Sequence, residues 1–165
     1  MSDPENENDS VLLPISQIGF AEIRRDVITE HRALHAKKNF IKGAVISRFE
    51  ANEIYEKPNY LTVQINDNEH ISLLPTYLEC INHSCNPNVF FDTTNMQLVA
   101  IQDIQASEEL TFFYPSTEWE MDQSFNCFCG NKNCLNMIQG AKFLNKDILK
   151  SYRLTNFILL KINLL

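Results

Sequence analysis

The sequence predicts one mainly β domain with a few short helices. Its 165 residues are 44% apolar, which suits a single hydrophobic core and does not indicate two domains. Between about residues 11 and 111, short runs of β-favouring residues alternate with turn-forming residues, and no repeat or linker divides the chain. The predicted strands cover residues 44–49, 60–65, 71–74, 88–91 and 97–101.

Helical signal is sparse and lies in two short segments. Residues 76–81 follow Pro75 and predict one short turn of helix before the segment rich in Asn and Cys that comes next. Asn145 is a favourable N-cap for a second helix over residues 146–152, in which Ile148 and Leu149 are expected to face a core.

The two ends of the chain differ in composition. Residues 1–10 are acidic and polar, which predicts a flexible tail and gives no secretory signal. Residues 157–165 are apolar, but Lys161 and Asn163 interrupt them, and they fall short of the roughly 20 residues that cross a bilayer. We interpret this stretch as a packing element or as the point where a longer chain was cut, and we expect no membrane partner.

The charge balance bears on the choice of partner. Asp and Glu number 21 against 14 Lys and Arg, a formal net charge of -7. Such an acidic chain is not typical of proteins that coat nucleic acid or anionic membrane, so we expect no direct nucleic-acid binding and favour a basic protein or peptide.

Three cysteines lie within eight residues, in the pattern Cys127-x-Cys129-x4-Cys134. Thiols without a secretory leader indicate an intracellular, reducing compartment, where clustered cysteines more often bind metal than form disulfides. Nucleus, cytoplasm and export into a host cell all stay open. Gly130 and the asparagines beside it allow the tight turns that bring three sulfurs onto one ion. The competing interpretation is ordinary reduced thiols in a turn.

A structural zinc site is tetrahedral and closed, so three cysteines need a fourth ligand. Cys85 lies in an irregular Asn- and Pro-containing loop that can present a thiolate, and we assign it as that ligand. Cys80, at the end of the first predicted helix, is interpreted as a buried small apolar residue. The sequence therefore predicts one structural Zn²⁺ held by Cys85, Cys127, Cys129 and Cys134.

Three motifs in order now support a resemblance to a known family. They are NHSCNPN at residues 82–88, ELTFFY at 109–114 and the three-cysteine segment. Together they resemble the SET domain of protein lysine methyltransferases, with a zinc-binding post-SET segment, over about residues 28–140. The resemblance implies a SET-type β-clip fold of several small sheets. We expect a SET-like catalytic domain at 11–121, a post-SET-like zinc segment at 122–140 and a helical extension at 141–165.

The resemblance also implies roles for individual residues. Tyr114 resembles the catalytic tyrosine at the point where the methyl of S-adenosylmethionine meets the incoming amine. Asn82 and His83 resemble the pair that holds the amino-acid and adenine parts of this cofactor. Leu135 is placed like the residue that packs on the cofactor. Phe112 resembles the position that limits the number of methyl groups added.

The mechanism that follows is methyl transfer in a dry channel. An apolar channel lined by Phe112, Phe113 and Tyr114 would favour the neutral lysine amine by desolvation. The protein then mainly supplies positioning. The implied substrate is a lysine-bearing protein, with a basic histone tail and other proteins both open.

The sequence departs from the family at its first motif. The family usually opens with a Gly-x-Gly turn beside the cofactor, and here the corresponding stretch is residues 31–36, HRALHA. His31 and Ala33 replace the glycines, so Arg32 and Ala33 are expected at the cofactor without the backbone freedom of glycine. A SET-like module that binds protein with weak or no catalysis is therefore a second hypothesis.

A third hypothesis is a zinc-stabilised interaction domain whose resemblance to the family is limited to its cysteines. Several other residues have ordinary structural interpretations. His31, His35 and His70 are expected at the surface or satisfied in the core, and Asp103, Glu108 and Glu109 in a solvated turn. Glu118 and Trp119 are candidates for the cleft between the motifs. The aromatic residues interpreted as core are Tyr55, Tyr60, Phe90, Phe91 and Phe125.

Overall fold

The computed structural model describes residues 12–164, so the predicted acidic tail at 1–10 and residue Leu165 lie outside the described part. Within these residues the strands form five small sheets, and the helices are short. The predicted mainly β architecture is confirmed. The strands are β1 Leu12–Ile18, β2 Ala21–Asp26, β3 Arg32–Ala36, β4 Val45–Arg48, β5 Glu50–Tyr55, β6 Val63–Asn66, β7 Glu69–Leu74, β8 Asn82–His83, β9 Val89–Asp92, β10 Gln97–Ala100, β11 Thr111–Phe112, β12 Phe125–Asn126 and β13 Met137–Ile138.

The sheets combine local and distant pairings. The antiparallel meander β1-β2-β3 is sequential, whereas β10 lies between β4 and β9, and β7 between β5 and β6. Strands β12 and β13 form an antiparallel pair around the cysteine segment. The parallel pair β8–β11 joins two short strands that are far apart in sequence.

Strands occur at all five predicted runs, and the structure adds the N-terminal meander, β5 and the two-residue strands β8, β11, β12 and β13. The meander lacks a clean signal because β3 is buried on both faces after Arg32, so its residues do not alternate between apolar and polar. Strand β5 is largely exposed and carries polar residues through most of its length. Both strands are therefore stabilised by their neighbours in the sheet more than by their own pattern.

Two apolar cores and a small cluster around the cysteines hold the described residues together. The larger packs residues of the three-stranded sheets, including Leu34, Phe91 and Leu98. The smaller lies under the C-terminal segment and contains Leu149 and Ile158. Besides two α-helices there are three 3-10 helices. The helices are Thr76–Cys80, Tyr114–Ser116 and Ala141–Phe143 (3-10), α1 Lys146–Leu149 and α2 Asn156–Asn163.

The C-terminal segment packs onto the domain as helices. The side chain of Asn145 accepts a hydrogen bond from the Ile148 N–H, which confirms the predicted N-cap. Helix α1 ends at Leu149, earlier than predicted, and the following residues form a turn in which the Ser151 hydroxyl donates to the Ile148 carbonyl. Ile158 of α2 is fully buried, as expected of a packing element. No helix in residues 12–164 is long and apolar enough to cross a bilayer.

Gly140 fixes the path between the cysteine segment and the C-terminal helices. Its φ is +119°, and a Cβ at this position would lie 2.5 Å from the Trp119 carbonyl oxygen. The next residue, Ala141, donates its N–H to the Glu118 carbonyl at 2.9 Å. Only glycine permits both this conformation and this approach, so the segment after Tyr114 is held close to residue 140.

Candidate functional site

The parallel pair β8–β11 brings the two central motifs side by side. Asn82 pairs with Thr111 and His83 with Phe112. Asn88 reinforces the pairing, because its Oδ1 accepts the Thr111 N–H at 2.9 Å and its Nδ2 donates to the Glu109 carbonyl at 2.8 Å. Residues 82–88 and 109–114, which the sequence identified separately, therefore form one structural unit.

His83 connects this unit to the cysteines. Its Nδ1 accepts the Tyr114 N–H at 3.2 Å, which assigns the ring proton to Nε2, 3.4 Å from the Cys85 Sγ. Burial lowers the pKa of His83 to about 4, so the ring is neutral. Its edge also packs against Phe125. One imidazole thus fixes the position of Tyr114 relative to the cysteine cluster.

The four predicted metal ligands converge. The Sγ atoms of Cys85, Cys127, Cys129 and Cys134 all lie within 4.8 Å of one another. Four thiolates at the usual Zn–S distance of about 2.3 Å in a tetrahedron are about 3.8 Å apart, and the Cys85 and Cys127 sulfurs are separated by 4.0 Å. The four cysteines can therefore hold one metal ion. Cys80 lies outside the cluster and is half-buried against the larger core.

Groups around the sulfurs orient the loop that carries Cys85. The Leu135 N–H donates to the Cys85 Sγ at 3.4 Å. Asn133 Nδ2 and the Tyr152 hydroxyl both donate to the Cys85 carbonyl, the latter at 2.8 Å. The Tyr152 ring stacks on Phe113 with centroids 3.7 Å apart. The C-terminal segment therefore supports the cysteine cluster as well as its own small core.

Two cavities meet beside this unit. The larger, of about 1150 Å³, is lined by charged and polar side chains of β3 and β8 together with aromatic residues and the cysteine segment; we call it the polar cavity for its charged and polar side chains. The smaller, of about 170 Å³, is lined by residues of the larger core and of the segments 58–63 and 121–125; we call it the apolar cavity for its core wall. Five residues line both cavities: Tyr60, Leu61, Glu79, Tyr114 and Phe125.

Of the five residues that line both cavities, Tyr114 is the one that belongs to a motif identified in the sequence. Its ring packs against Phe112, with centroids 4.7 Å apart, and its backbone is held by His83. Burial, with the negative charges of Glu109 and Glu118, raises the pKa of Tyr114 to about 12. Its hydroxyl therefore stays protonated at neutral pH and is available as a hydrogen-bond donor or acceptor.

Asn82 closes one wall of the polar cavity. Its Nδ2 donates to the Arg32 carbonyl at 2.8 Å and to Glu109 Oε1 at 3.1 Å. Asn82 thus lines the cavity with its Nδ2 donors already paired, and its Oδ1 remains an acceptor. Glu109, expected in a solvated turn, is half-buried and instead orients Asn82.

The altered glycine turn adopts ordinary backbone geometry at both substituted positions. His31 and Ala33 have no positive φ; the left-handed residue of the β2–β3 loop is Glu30, with φ of 60°. His31 and Arg32 line the polar cavity, whereas Ala33 is buried in β3 and does not line it. The residues in place of glycine are therefore not strained by the backbone.

Two predicted side chains lie away from the cavities. Phe112 lines the apolar cavity, but Phe113 lines neither, because successive residues of an extended strand point to opposite sides. Phe113 packs on Tyr152 instead. Leu135, expected to contact the cofactor, packs against the cysteine cluster and does not line the polar cavity.

The residues expected in the cleft and the aromatic residues expected in the core are only partly where the sequence predicted them. Glu118 lines the apolar cavity, while Trp119 packs in the small C-terminal core. Tyr60, expected in the core, is 78% exposed, and Phe125 is half-buried at the junction of the cavities. Nothing local in the sequence distinguishes these aromatic residues from core residues.

The histidines are only partly satisfied. His31 is exposed. His35 is buried, with Nδ1 3.0 Å from the Ser107 carbonyl, but its Nε2 has no partner in the described part of the chain. The same is true of the buried Nδ1 of His70.

Comparison with known proteins identifies relatives of this arrangement. The family model described as "SET domain" matches residues 18–115, more than half of the chain. Methyltransferase flvH of Aspergillus flavus is 40% identical over 112 residues, which cover 67% of this chain and 62% of that protein. A histone-lysine N-methyltransferase, H3 lysine-36 specific, of Aspergillus oryzae is 42% identical over 65 residues, 36% of this chain and 7% of that protein.

The fold also matches a solved structure. The crystal structure of KRYPTONITE in complex with mCHG DNA and SAH aligns with a TM-score of 0.55 at 20% identity, over 74% of this chain and 30% of that one. The chain thus spans less than two thirds of each of these proteins. The match to residues 18–115 ends before Cys127, so the resemblance is not limited to the cysteine motif, as the third hypothesis required.

Proposed function

The chain belongs to the SET domain family, and on that premise we propose that it is an S-adenosylmethionine-dependent protein lysine N-methyltransferase. The observation that carries this proposal is the position of Tyr114, at the junction of a large polar cavity and a small apolar one. A methyl transfer needs such a junction, because donor and amine must enter from different sides and meet in line.

The polar cavity fits the cofactor by size and by chemistry. Its volume of about 1150 Å³ exceeds the roughly 300–1,000 Å³ typical of ligand sites. Arg32 offers a cation for a carboxylate, and Asn82 Oδ1 an acceptor for an ammonium group, the two charges of an amino-acid moiety. The uncharged imidazole ring of His83 offers a surface on which the adenine ring can pack. When bound, S-adenosylmethionine supplies a methyl group on a cationic sulfonium.

The residues of the apolar cavity would prepare the amine. Phe112, Leu78 and Ile81 exclude water from its wall, and desolvation favours the neutral, nucleophilic form of an amine. The hydroxyl oxygen of Tyr114 would accept a hydrogen bond from the amine N–H, which leaves the nitrogen lone pair free to face the methyl group. No general acid is needed, since the leaving sulfonium becomes neutral as it departs.

We further propose that the metal is zinc and that its role is structural. Four thiolates with no open position are typical of structural zinc. The site would tie the loop of Cys85, next to His83, to residues 126–129, which line the polar cavity. Losing the ion should therefore open the cofactor site.

The substrate we propose is a lysine in a basic protein segment, with a histone tail as the first candidate. The net charge of -7 favours a basic partner, and relatives carry histone-lysine names. We also propose an intracellular location, because clustered cysteines that bind metal rather than form disulfides are typical of a reducing compartment. We retain the division into a catalytic domain at 11–121, a zinc segment at 122–140 and a C-terminal extension as part of this proposal.

The test is calorimetric titration of S-adenosylmethionine into the zinc-loaded chain, followed by mass spectrometry of a histone pool incubated with both. Binding with a mass increase of one or more methyl groups on lysine is the expected result. A folded, zinc-containing chain that binds no cofactor would replace this proposal with the protein-binding module. The ordinary backbone at His31 and Ala33 favours binding.

A further inference from the structure

The apolar cavity has an unbalanced set of charges. Its charged lining residues are Glu79, Glu118 and Asp122, and none of its lining residues is Lys, Arg or His. The rest of the wall is mostly apolar or aromatic. A cavity of this composition favours a ligand that is both apolar and cationic.

Glu118 is the buried member of the three. It is 7% exposed, and its Oε1 accepts the Gln64 N–H and the Thr117 hydroxyl, both at 2.9 Å. Its Oε2 has no hydrogen-bond partner, and Glu118 forms no ion pair, among residues 12–164. Burial raises the pKa of this carboxyl to about 7.

The contacts of Glu118 do not require a charge. Two hydrogen bonds join residue 64 to residues 118 and 119. The Gln64 N–H donates to Glu118 Oε1, and the Gln64 side-chain oxygen accepts the Trp119 N–H, both at 2.9 Å. A glutamine at 118 offers the same Oε1 acceptor without the desolvation cost of a carboxylate. A neutral side chain at position 118 would therefore satisfy the same contacts within the fold. We infer that the carboxyl group is there for a ligand that enters the cavity.

We propose that Glu118 docks the ammonium form of an incoming alkylamine in the apolar cavity, before the amine loses its proton to solvent and reacts at Tyr114. This inference rests on the proposed function, because it names what Tyr114 would receive. Glu118 is joined to Tyr114 by its N–H, which donates to the Tyr114 carbonyl at 3.0 Å. It is a positioning residue, and the chemistry it recognises is shared by a lysine side chain and a free alkylamine.

The test uses the zinc-loaded full chain without S-adenosylmethionine, with n-butylammonium chloride as the probe and 1-pentanol as its neutral counterpart. The chain contains one tryptophan, Trp119, next to Glu118, so its fluorescence reports binding. We expect the cation to bind more tightly than the alcohol, and Glu118→Gln to weaken the cation by about tenfold while leaving the alcohol unchanged. Equal binding of cation and alcohol by the unaltered chain would overturn the inference.

Asp122→Asn is the matched control. It removes the same charge from the same cavity at an exposed position, where solvent screens the interaction. It should change cation binding by less than about threefold. If Asp122→Asn and Glu118→Gln weaken the cation equally, the cavity attracts cations through its general field, and the assignment to Glu118 is wrong.

A pH titration of the unaltered chain keeps the test open if Glu118→Gln does not fold. Cation binding should strengthen by about tenfold from about pH 6 to about pH 8, on either side of the Glu118 pKa of about 7. The other titratable groups facing it are Glu79, Asp122, Tyr60 and Tyr114. The same slope in Glu79→Gln and Asp122→Asn assigns it to Glu118, and binding independent of pH contradicts the inference.

A further arm distinguishes the two sources of the amine. If the site takes a lysine in a peptide, Nα-acetyl-lysine methylamide should bind at least as tightly as butylammonium. If it takes a free amine, the methylamide should bind more weakly. In both cases Glu118→Gln should weaken the binding. Because the fluorescence test needs no cofactor, cation binding through Glu118 without methyl transfer would refute only the proposed function. Cofactor binding and methyl transfer with no preference for the cation would refute only this inference.

Discussion

The two cavities that meet at Tyr114 differ in what holds their walls. The apolar cavity is walled by Leu73, Leu78, Phe91 and Phe112, which belong to the larger hydrophobic core. One wall of the polar cavity is instead the segment 126–129, which contains two of the clustered cysteines and a 91% exposed Phe128.

The walls of the two cavities therefore depend on different interactions, one on hydrophobic burial and the other on the cysteine cluster. Hydrophobic burial forms the apolar cavity as the domain folds. Within the segment 126–129 only Cys127 is buried, so we expect a metal ion that joins the sulfurs to stabilise this wall. The apolar cavity should therefore survive changes that open the polar cavity.

The largest effect should follow from breaking the cysteine cluster. Loss of an outer-shell partner already costs about 10–100-fold in metal affinity, so Cys134→Ser, which removes a ligand, should lose the ion. Cofactor binding should fall below detection while butylammonium binding persists. Metal content, calorimetry and Trp119 fluorescence measure the three properties. Cys80→Ser, outside the cluster, should keep the metal. A Cys134→Ser chain that holds one zinc would contradict the ligand assignment.

An intermediate effect is expected where the cavities meet. Tyr114→Phe removes the hydroxyl but keeps the ring contacts with Phe112, so kcat should fall by about 10²–10³-fold with cofactor affinity nearly unchanged. Steady-state kinetics and calorimetry separate the two. Tyr60→Phe makes the same change on an exposed residue that lines both cavities, and it should lose less than about threefold. Normal turnover by Tyr114→Phe would remove it from the mechanism.

The smallest effect concerns stability on the apolar side. Burial raises the Glu118 pKa to about 7 from its ordinary value of 4.5. The folded state therefore holds the proton more tightly than the unfolded state, and stability falls as pH rises from about 4.5 to about 7 and is level above it. Glu118→Gln should remove this fall and raise the free energy of unfolding at pH 8 by up to about 3 kcal/mol.

Urea denaturation at about pH 5 and about pH 8 measures this difference. Asp122→Asn, at an exposed position, should show the same dependence on pH as the unaltered chain. If Glu118→Gln also retains the full dependence, its carboxyl is not the group that titrates.

Much of the site is recoverable from short-range patterns. The spacing of Cys127, Cys129 and Cys134, with one loop cysteine at 85, predicted a cluster that the structure assembles. The two motifs predicted that Asn82 and Tyr114 belong to one site, and β8–β11 brings their segments together. The cofactor and catalytic roles of these residues stay predictions.

Other features depend on pairings between distant segments. Phe112 lines the apolar cavity, whereas Phe113 points to the other side and stacks on Tyr152. The motif contains both residues, and it does not show which of them faces the cavity. Glu118 was a candidate for the cleft from the sequence, but its burial and its hydrogen bond from the Gln64 N–H, 54 positions earlier, appear only in the folded chain. Tyr60 reads as a core aromatic but lies at the rim of both cavities.

The sequence by itself determined the four-cysteine cluster and the mainly β class, because residue spacing and strand-forming runs are local properties. The tertiary structure alone decided the proton position on His83, the burial of Glu118 and the ordinary backbone at His31 and Ala33. The first is set by a hydrogen bond from the Tyr114 backbone, the second by exclusion of solvent and the third by the β2–β3 hairpin, and all three exist only once the chain has folded.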